Sequence, residues 1–197
     1  MACTALTRGR QLNCNRISGG IKAVYFAVLD QVIAFTYDTT AAPNGVREIT
    51  NIDMGTDELY KYALPIGTSS LSDSIVGSRE NGTVYYTPTL NIVYNKLSKE
   101  DQNELKLMAA TKTVAFAELN QQLSNGHNVI VAMGMVNGME LNAGTMDSGA
   151  AWGDRNGYTL TFDGMEAEPF AMMTDYTAIP FDNADAGAQI PINSTGL

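Results

Sequence analysis

The stretch SNGHNVIVAMGMVNGMEL, residues 124–141, decides how the rest of the chain is read. Ser124-Asn125-Gly126 opens it as a turn, His127 to Val136 runs on as an apolar, β-branched strand, and Asn137-Gly138 turns the chain toward Met139-Glu140-Leu141. Asn and Gly both tolerate positive φ, which a two-residue type I′ hairpin turn requires at both central positions. The same dipeptide recurs at Asn44-Gly45, Asn81-Gly82 and Asn156-Gly157, in most cases beside β-branched and aromatic runs. The chain therefore reads as a series of antiparallel hairpins.

Working outward, Ile21 to Leu29 and Gln31 to Tyr37 read as strands, with a turn or bulge at Asp30. Val46 to Met54 is a third strand, and Leu59 to Ala63 is ambiguous. Pro65 to Gly82 is rich in Ser and Gly and reads as a long loop or a protruding hairpin, the kind of segment that carries function. Thr83 to Tyr94 returns to strand composition, and Pro88 within it argues for an edge or a bulge. Ser98 followed by Asp101 resembles a capping box. With Leu105, Met108 and Ala109 on one face, it predicts one helix over about 99–111. Thr113 to Glu118 leans to strand, Asn142 to Asn156 to a Gly-rich loop, Gly157 to Gly164 to a strand, and Glu168 to Ile179 to the last long strand.

The expected fold is mainly β: an antiparallel sandwich or partly closed barrel with one flanking helix. The 197 residues, 45% hydrophobic, suggest a single domain over 1–197, with an N-terminal arm (1–20), a β-rich body (21–180) and an irregular tail (181–197). No run reaches the roughly 18 apolar residues of a membrane span. The N-terminus does not read as a secretory signal, so synthesis in a cytoplasm is expected and no membrane partner is.

Net charge is −9 and unevenly placed. Arg8, Arg10, Arg16 and Lys22 precede the first acid, Asp30, whereas residues 101–197 hold three basic residues and twelve acids. An acidic body disfavours direct nucleic-acid binding. The bland reading is a solubilising surface; the sharper one has the head of one copy docking on the acidic face of the next. Cys3 and Cys14 both lie in that head, and a reducing cytoplasm would keep them as thiols.

Catalytic signals are sparse. His127 is the one histidine and reads as a hairpin residue, since no Ser or Cys partner stands at recognisable spacing. No nucleophile elbow, phosphate loop or dinucleotide fingerprint appears. Carboxylates cluster at Asp53, Asp57 and Glu58 and at Glu166 and Glu168, which a glycosidase reading would need as a facing pair. Asp154-x-Asn156-Gly157 and Asp182-x-x-Asp185 offer oxygens to calcium but lack the full loop with a closing Glu. No cofactor, no metal and no enzymatic activity are expected. Of the ten methionines, Met133, Met135, Met139, Met146, Met165, Met172 and Met173 gather in the second half, as core filler or as a subunit interface.

Two blocks resemble virion structural proteins of tailed bacteriophages. One is Met1-Ala2-Cys3 through Arg8-Gly9-Arg10 and Cys14, with Gly19-Gly20-Ile21-Lys22-Ala23-Val24-Tyr25-Phe26. The other is Gly153-Asp154-Arg155-Asn156-Gly157-Tyr158-Thr159-Leu160-Thr161-Phe162 with Glu166 to Phe170. The element order over about 20–180 is similar to that of tail-tube proteins. That resemblance implies hexameric rings stacked into a tube that conducts DNA without specific binding. It also implies contacts with other tail or head proteins, and a place in the virion tail. In that family the long loop mediates ring stacking, which maps to Pro65–Gly82 here. The expected oligomer interface joins Ile66, Leu71, Ile75 and Val76 of that loop to Arg8, Arg10 and Arg16, which the charge asymmetry rather than the resemblance points to. Capsid decoration, head-closure and tail-ring proteins share the pattern. A carbohydrate- or host-binding module using Trp152 and Tyr158 as a stacking platform is the rival from another class.

Overall fold

Three strands form the centre, and each is apolar on both faces. In β1 (Ile21–Val28), Val24 and Phe26 point one way and Ala23, Tyr25 and Ala27 the other, and all are buried. β7 (Thr113–Gln122) repeats this with Ala115 and Ala117 against Val114 and Phe116. β8 (Asn128–Met133) does so with Val129, Val131 and Met133 against Ile130 and Ala132. A strand buried on both faces needs a layer on each side, and the remaining elements supply both.

The computed structural model describes residue 10 and residues 17–38 and 48–195. The other strands are β2 (Ala34–Tyr37), β3 (Glu48–Asp53), β4 (Leu59–Ala63), β5 (Ser70–Ser78), β6 (Thr83–Asn95), β9 (Glu140–Asp147), β10 (Gly157–Asp163), β11 (Ala171–Met173) and β12 (Ile192–Asn193). One sheet of eight runs β12-β4-β1-β7-β8-β11-β3-β2; a second of four runs β5-β6-β10-β9. The two sheets pack as a sandwich, not as a closed barrel. Between them lies a first core of Val24, Phe26, Leu90, Ile92, Leu160 and Phe162, with Leu105 and Met108 from the helix.

A second core lies on the far face of the large sheet. It joins Leu59 of β4 and Ile49 and Ile52 of β3 to Tyr25 and Phe116 at the centre. Strands five places apart share this core, so the sheet curls over it. The C-terminal segment fills the open side. Phe181 sits edge-on to Tyr25 (5.0 Å) and Phe116 (5.4 Å), and Ala184 and Ile190 are buried beside it. Its backbone accepts from Ile52 N–H at Ala184 and from Leu59 N–H at Pro191. Of the tail expected to be irregular over 181–197, Phe181, Ala184 and Ile190 are thus part of the core, and among its described residues only Ile192–Asn193 forms a strand.

The helix, α1, spans Lys99–Met108. Ser98 Oγ accepts from Asp101 N–H (3.0 Å) and donates to the Asp101 carboxylate (2.6 Å), so Ser98 is the cap as expected, but the box does not close, because the Ser98 N–H goes to the Tyr158 hydroxyl (3.3 Å). The helix ends earlier than 111. Thr113 already exchanges backbone hydrogen bonds with Met139, and Ala109–Lys112 must connect the two directions.

Three further expectations are corrected. Of the described Asn-Gly pairs, Asn81-Gly82 and Asn125-Gly126 lie in short turns between paired strands, and Asn156-Gly157 ends the long connection from β9 to its partner β10. Positive φ falls on Gly82, Gly126 and Gly138 and not on the asparagines, so these are not type I′ turns. Asn137-Gly138 instead hands the chain from the large sheet to the small one. Residues 142–147, expected in a loop, belong to β9. The strand expected over Glu168–Ile179 shrinks to Ala171–Met173, because Asp175 and Tyr176 turn away to bind the β7–β8 hairpin. Asn44-Gly45, Cys3 and Cys14 lie outside the described residues.

Candidate functional site

The small sheet carries the features best suited to function. Pro65–Gly82 resolves into a connection followed by β5, which pairs with β6 from Ser70↔Asn91 to Ser78↔Thr83. The neighbouring strand β10 covers β6 only from Thr89 to Asn95. Beyond that point β5 and β6 continue as a two-stranded arm. Pro88 sits where the β10 ladder stops: its carbonyl accepts from Gly164 N–H (3.1 Å), and the N–H it lacks would face the same, now unladdered side.

Directly paired residues share a face, so one face of the arm carries Leu71 with Leu90, Asp73 with Pro88, Ile75 with Tyr86, and Gly77 opposite Val84. This face begins in the first core at Leu71 and Leu90. Further out it runs off the body, leaving Ile75 71% and Val84 62% exposed. Asp73 accepts from Phe170 N–H with one carboxylate oxygen (3.0 Å), while the other is buried without a donor among the described residues. Glu166 anchors the arm's root through reciprocal backbone bonds with Tyr86. Its buried carboxylate holds the N–H groups of Val136 (3.2 Å) and Asn137 (2.9 Å). Val136 and Met165, both exposed, flank it.

The edges of this sheet are open. β5 and β9 stand at its two ends, and no described strand pairs with their outer sides. Because all four strands alternate in direction, β5 and β9 run opposite ways. Neither contains Lys or Pro, the usual guards of an exposed edge.

The residues expected at an interface therefore divide. Ile75 lies on the apolar face of the arm, and Val76, opposite Tyr85, lies on the other. Ile66 is 93% exposed but sits in the β4–β5 connection. Leu71 packs, partly buried, against the first core. Arg10 is exposed, and Arg8 and Arg16 lie outside the described residues. Sequence reading missed Val84 and Val136, and it took Met165 only together with the other methionines of the second half. The alternation in Ser70-Leu71-Ser72-Asp73-Ser74-Ile75 was the local signal for β5, and with it for Val84 across the pair.

The chemical candidates resolve into structural roles. Asp154 accepts from Ala150 and Ala151 N–H (3.0 and 2.7 Å), and these bonds hold its carboxyl below the usual range. Asp182 does the same for Thr177, Ala178 and Ile179. Asp53 closes its own turn on Gly55 N–H, and Glu58 accepts from Asn193. No group of three or more potential metal ligands occurs among the described residues. Tyr158 is fully buried, so it does not form a stacking platform with the exposed Trp152.

His127 has a partner that spacing did not reveal. Its Nδ1 lies 2.8 Å from Asp175 Oδ1, and its ring stacks on Tyr176 at 4.4 Å. Asn125 donates to the other Asp175 oxygen. Burial works against the Asp175 charge, but the bonds from His127 and Asn125 outweigh it and hold the carboxyl below its ordinary value. The cluster staples the β7–β8 hairpin to the C-terminal segment.

No protein-family model matches the chain, and neither the curated proteins nor the solved structures gave a match.

Proposed function

We propose that this protein is a self-assembling structural subunit rather than an enzyme. Within that class we propose a tail-tube protomer of a tailed bacteriophage, made in the host cytoplasm and resident in the virion tail. The observation that carries the class is the pair of open, oppositely directed edges of the small sheet. Head-to-tail joining of β5 in one copy to β9 in the next keeps every strand pair antiparallel, and a rotation between copies closes such a heterologous contact into a ring. Both edges lose their unpaired backbone groups in doing so. The β5–β6 arm, apolar on one face, then reaches the next ring, in the role that the resemblance to tail-tube proteins gives to this segment. A net charge of −9 suits a lumen through which DNA passes without adhering, since like charges repel.

Electron microscopy of the purified full-length protein, paired with sedimentation velocity across a concentration series, tests this reading. Rings or stacked tubes are expected. A monodisperse monomer at every concentration overturns it.

A further inference from the structure

A groove of about 680 Å³ is bounded by β4, the end of β6, the first turns of α1 and Asn193–Thr195. Its floor is aromatic. Tyr60 and Tyr62 stand on the β4 face paired with Phe26 and Val24 of β1, and Tyr94 adjoins Tyr62 at 6.2 Å between ring centroids. Its wall is acidic: Glu100, Asp101 and Glu104 of α1 line it. Glu100 and Glu104 are four residues apart on one helix stripe, a like-charge spacing that disfavours the helix unless a cation sits between them. Glu100 has Lys99 at 3.4 Å, whereas Glu104 has no ion pair among the described residues. Lys61 and Lys96 also border the groove, but the Lys61 ammonium is drawn over the Tyr25 ring, 5.5 Å from its centroid. Burial first, and then the charges of Glu104 and Asp101, raise the Tyr62 phenol to about 12. The acids therefore act on the floor itself.

Tyrosine faces beside carboxylates suit a guanidinium, which stacks on the ring and donates in-plane hydrogen bonds to the acid. The chain carries such groups in a run free of acids: Arg8, Arg10 and Arg16, all before Asp30. Residues 1–16 span up to roughly 50 Å when extended. β1 runs from Ile21 toward the Tyr60 end of β4, so residues 17–20 lead into the sheet at its Ala63 end. Asn120 fixes that entry by donating its side chain to Gly19 O (3.0 Å) and its backbone N–H to Gly20 O (3.1 Å). Arg10 is exposed and meets no described carboxylate.

We infer that residues 1–16 of one copy dock in the tyrosine–carboxylate groove of a second copy, their arginines seated on Tyr60, Tyr62 and Tyr94 against Glu100 and Glu104. This rests on the self-assembly proposed above and names a second contact for it.

The test uses a fluorescent peptide of residues 1–18 as probe and, as receptor, the full chain with Arg8→Ser, Arg10→Ser and Arg16→Ser. Saturable binding by anisotropy is expected, about tenfold weaker when salt rises from about 50 mM to about 500 mM. Adding Glu100→Gln and Glu104→Gln to the receptor should weaken it by a similar factor. Absent binding, or equal affinity for the double-Gln receptor, overturns the inference. A second measurement links Cys14 to Glu104→Cys with a short bismaleimide in a Cys3→Ser background, mixing two mass-tagged copies. Links between tags are expected, and links confined to single chains overturn docking on a neighbour. Rings without peptide binding would sink the docking alone. Peptide binding without rings would uphold the docking and sink the tube reading.

Discussion

Lys22, Tyr25 and Glu118 show how much one buried charge asks of its neighbours. The Glu118 side chain is 2% exposed, and it holds Lys22 Nζ at 2.7 Å and the Tyr25 hydroxyl at 2.9 Å. Removing the cation leaves a carboxylate in low dielectric, whereas removing the charge does not. Lys22→Met is therefore expected to destabilise by about 1–3 kcal/mol, and Lys22→Met combined with Glu118→Gln by clearly less. Urea denaturation of the single and double variants checks this. Titration provides a second residue-scale expectation. The Tyr62 proton is held more tightly when folded, with its pKa raised to about 12 from about 10. Its stabilisation is complete below pH 10 and fades as pH climbs through 12. Asp175 is the opposite case: lowered in the fold, it stabilises above the ordinary carboxylate range and stops doing so as pH falls through its own, lower value. Tyrosinate absorbance and acid-side melting curves report the two limbs. Glu118 and His127 also mark where sequence reading stopped. Their partners lie 96 and 48 residues away, and no local spacing encodes such a pair.

The elements differ in legibility for a physical reason. β1, β7 and β8 were legible because burial on both faces writes an unbroken apolar run into the chain. The helix was legible from its cap, and its stop was not, because the stop is set by the Thr113–Met139 pairing rather than by any breaker. β9 escaped notice because almost every side chain in it is exposed. Its glycine at 144 is there for close packing: a Cβ would lie 2.9 Å from Leu160 Cδ2. β11 and β12, at three and two residues, exist only through their neighbours. The β5–β6 arm is one of the two options the sequence offers for this segment, and in it Leu71 packs partly buried against the first core while Ile75 and Val84 are exposed. That division sharpens the assembly test. Deleting the whole segment would strip a strand and Leu71 from the first core. Ile75→Ser with Val84→Ser alters only the exposed outer face. The double variant is expected to melt within about 1 kcal/mol of wild type, as surface changes do, while losing ring stacking under the electron microscope. Unchanged stacking would show that the arm plays no part in it.

At the scale of the molecule, two cores share one curled sheet, and the second core closes only with residues from the end of the described chain. The sandwich was foreseen and this closure was not, since Phe181, Ala184 and Ile190 are scattered among polar residues and carry no period. Phe181→Ala should cost about 3–5 kcal/mol, the range for a fully enclosed aromatic, visible as a lower melting temperature. Removing 174–195 should leave the Tyr25–Phe116 face open and the product insoluble or dye-binding; a soluble, cooperatively melting truncation would refute the lid role. That lid also sets a timetable. A ribosome delivers Tyr25 first, Phe116 some ninety residues later and Phe181 later still, so the nascent protein carries an uncovered greasy trough until Phe181 emerges. Contacts this distant in sequence are slow to form, and the waiting surface is what chaperones bind and what drives clumping in an overfilled cell. The second core thus closes only after Phe181, Ala184 and Ile190 have all emerged.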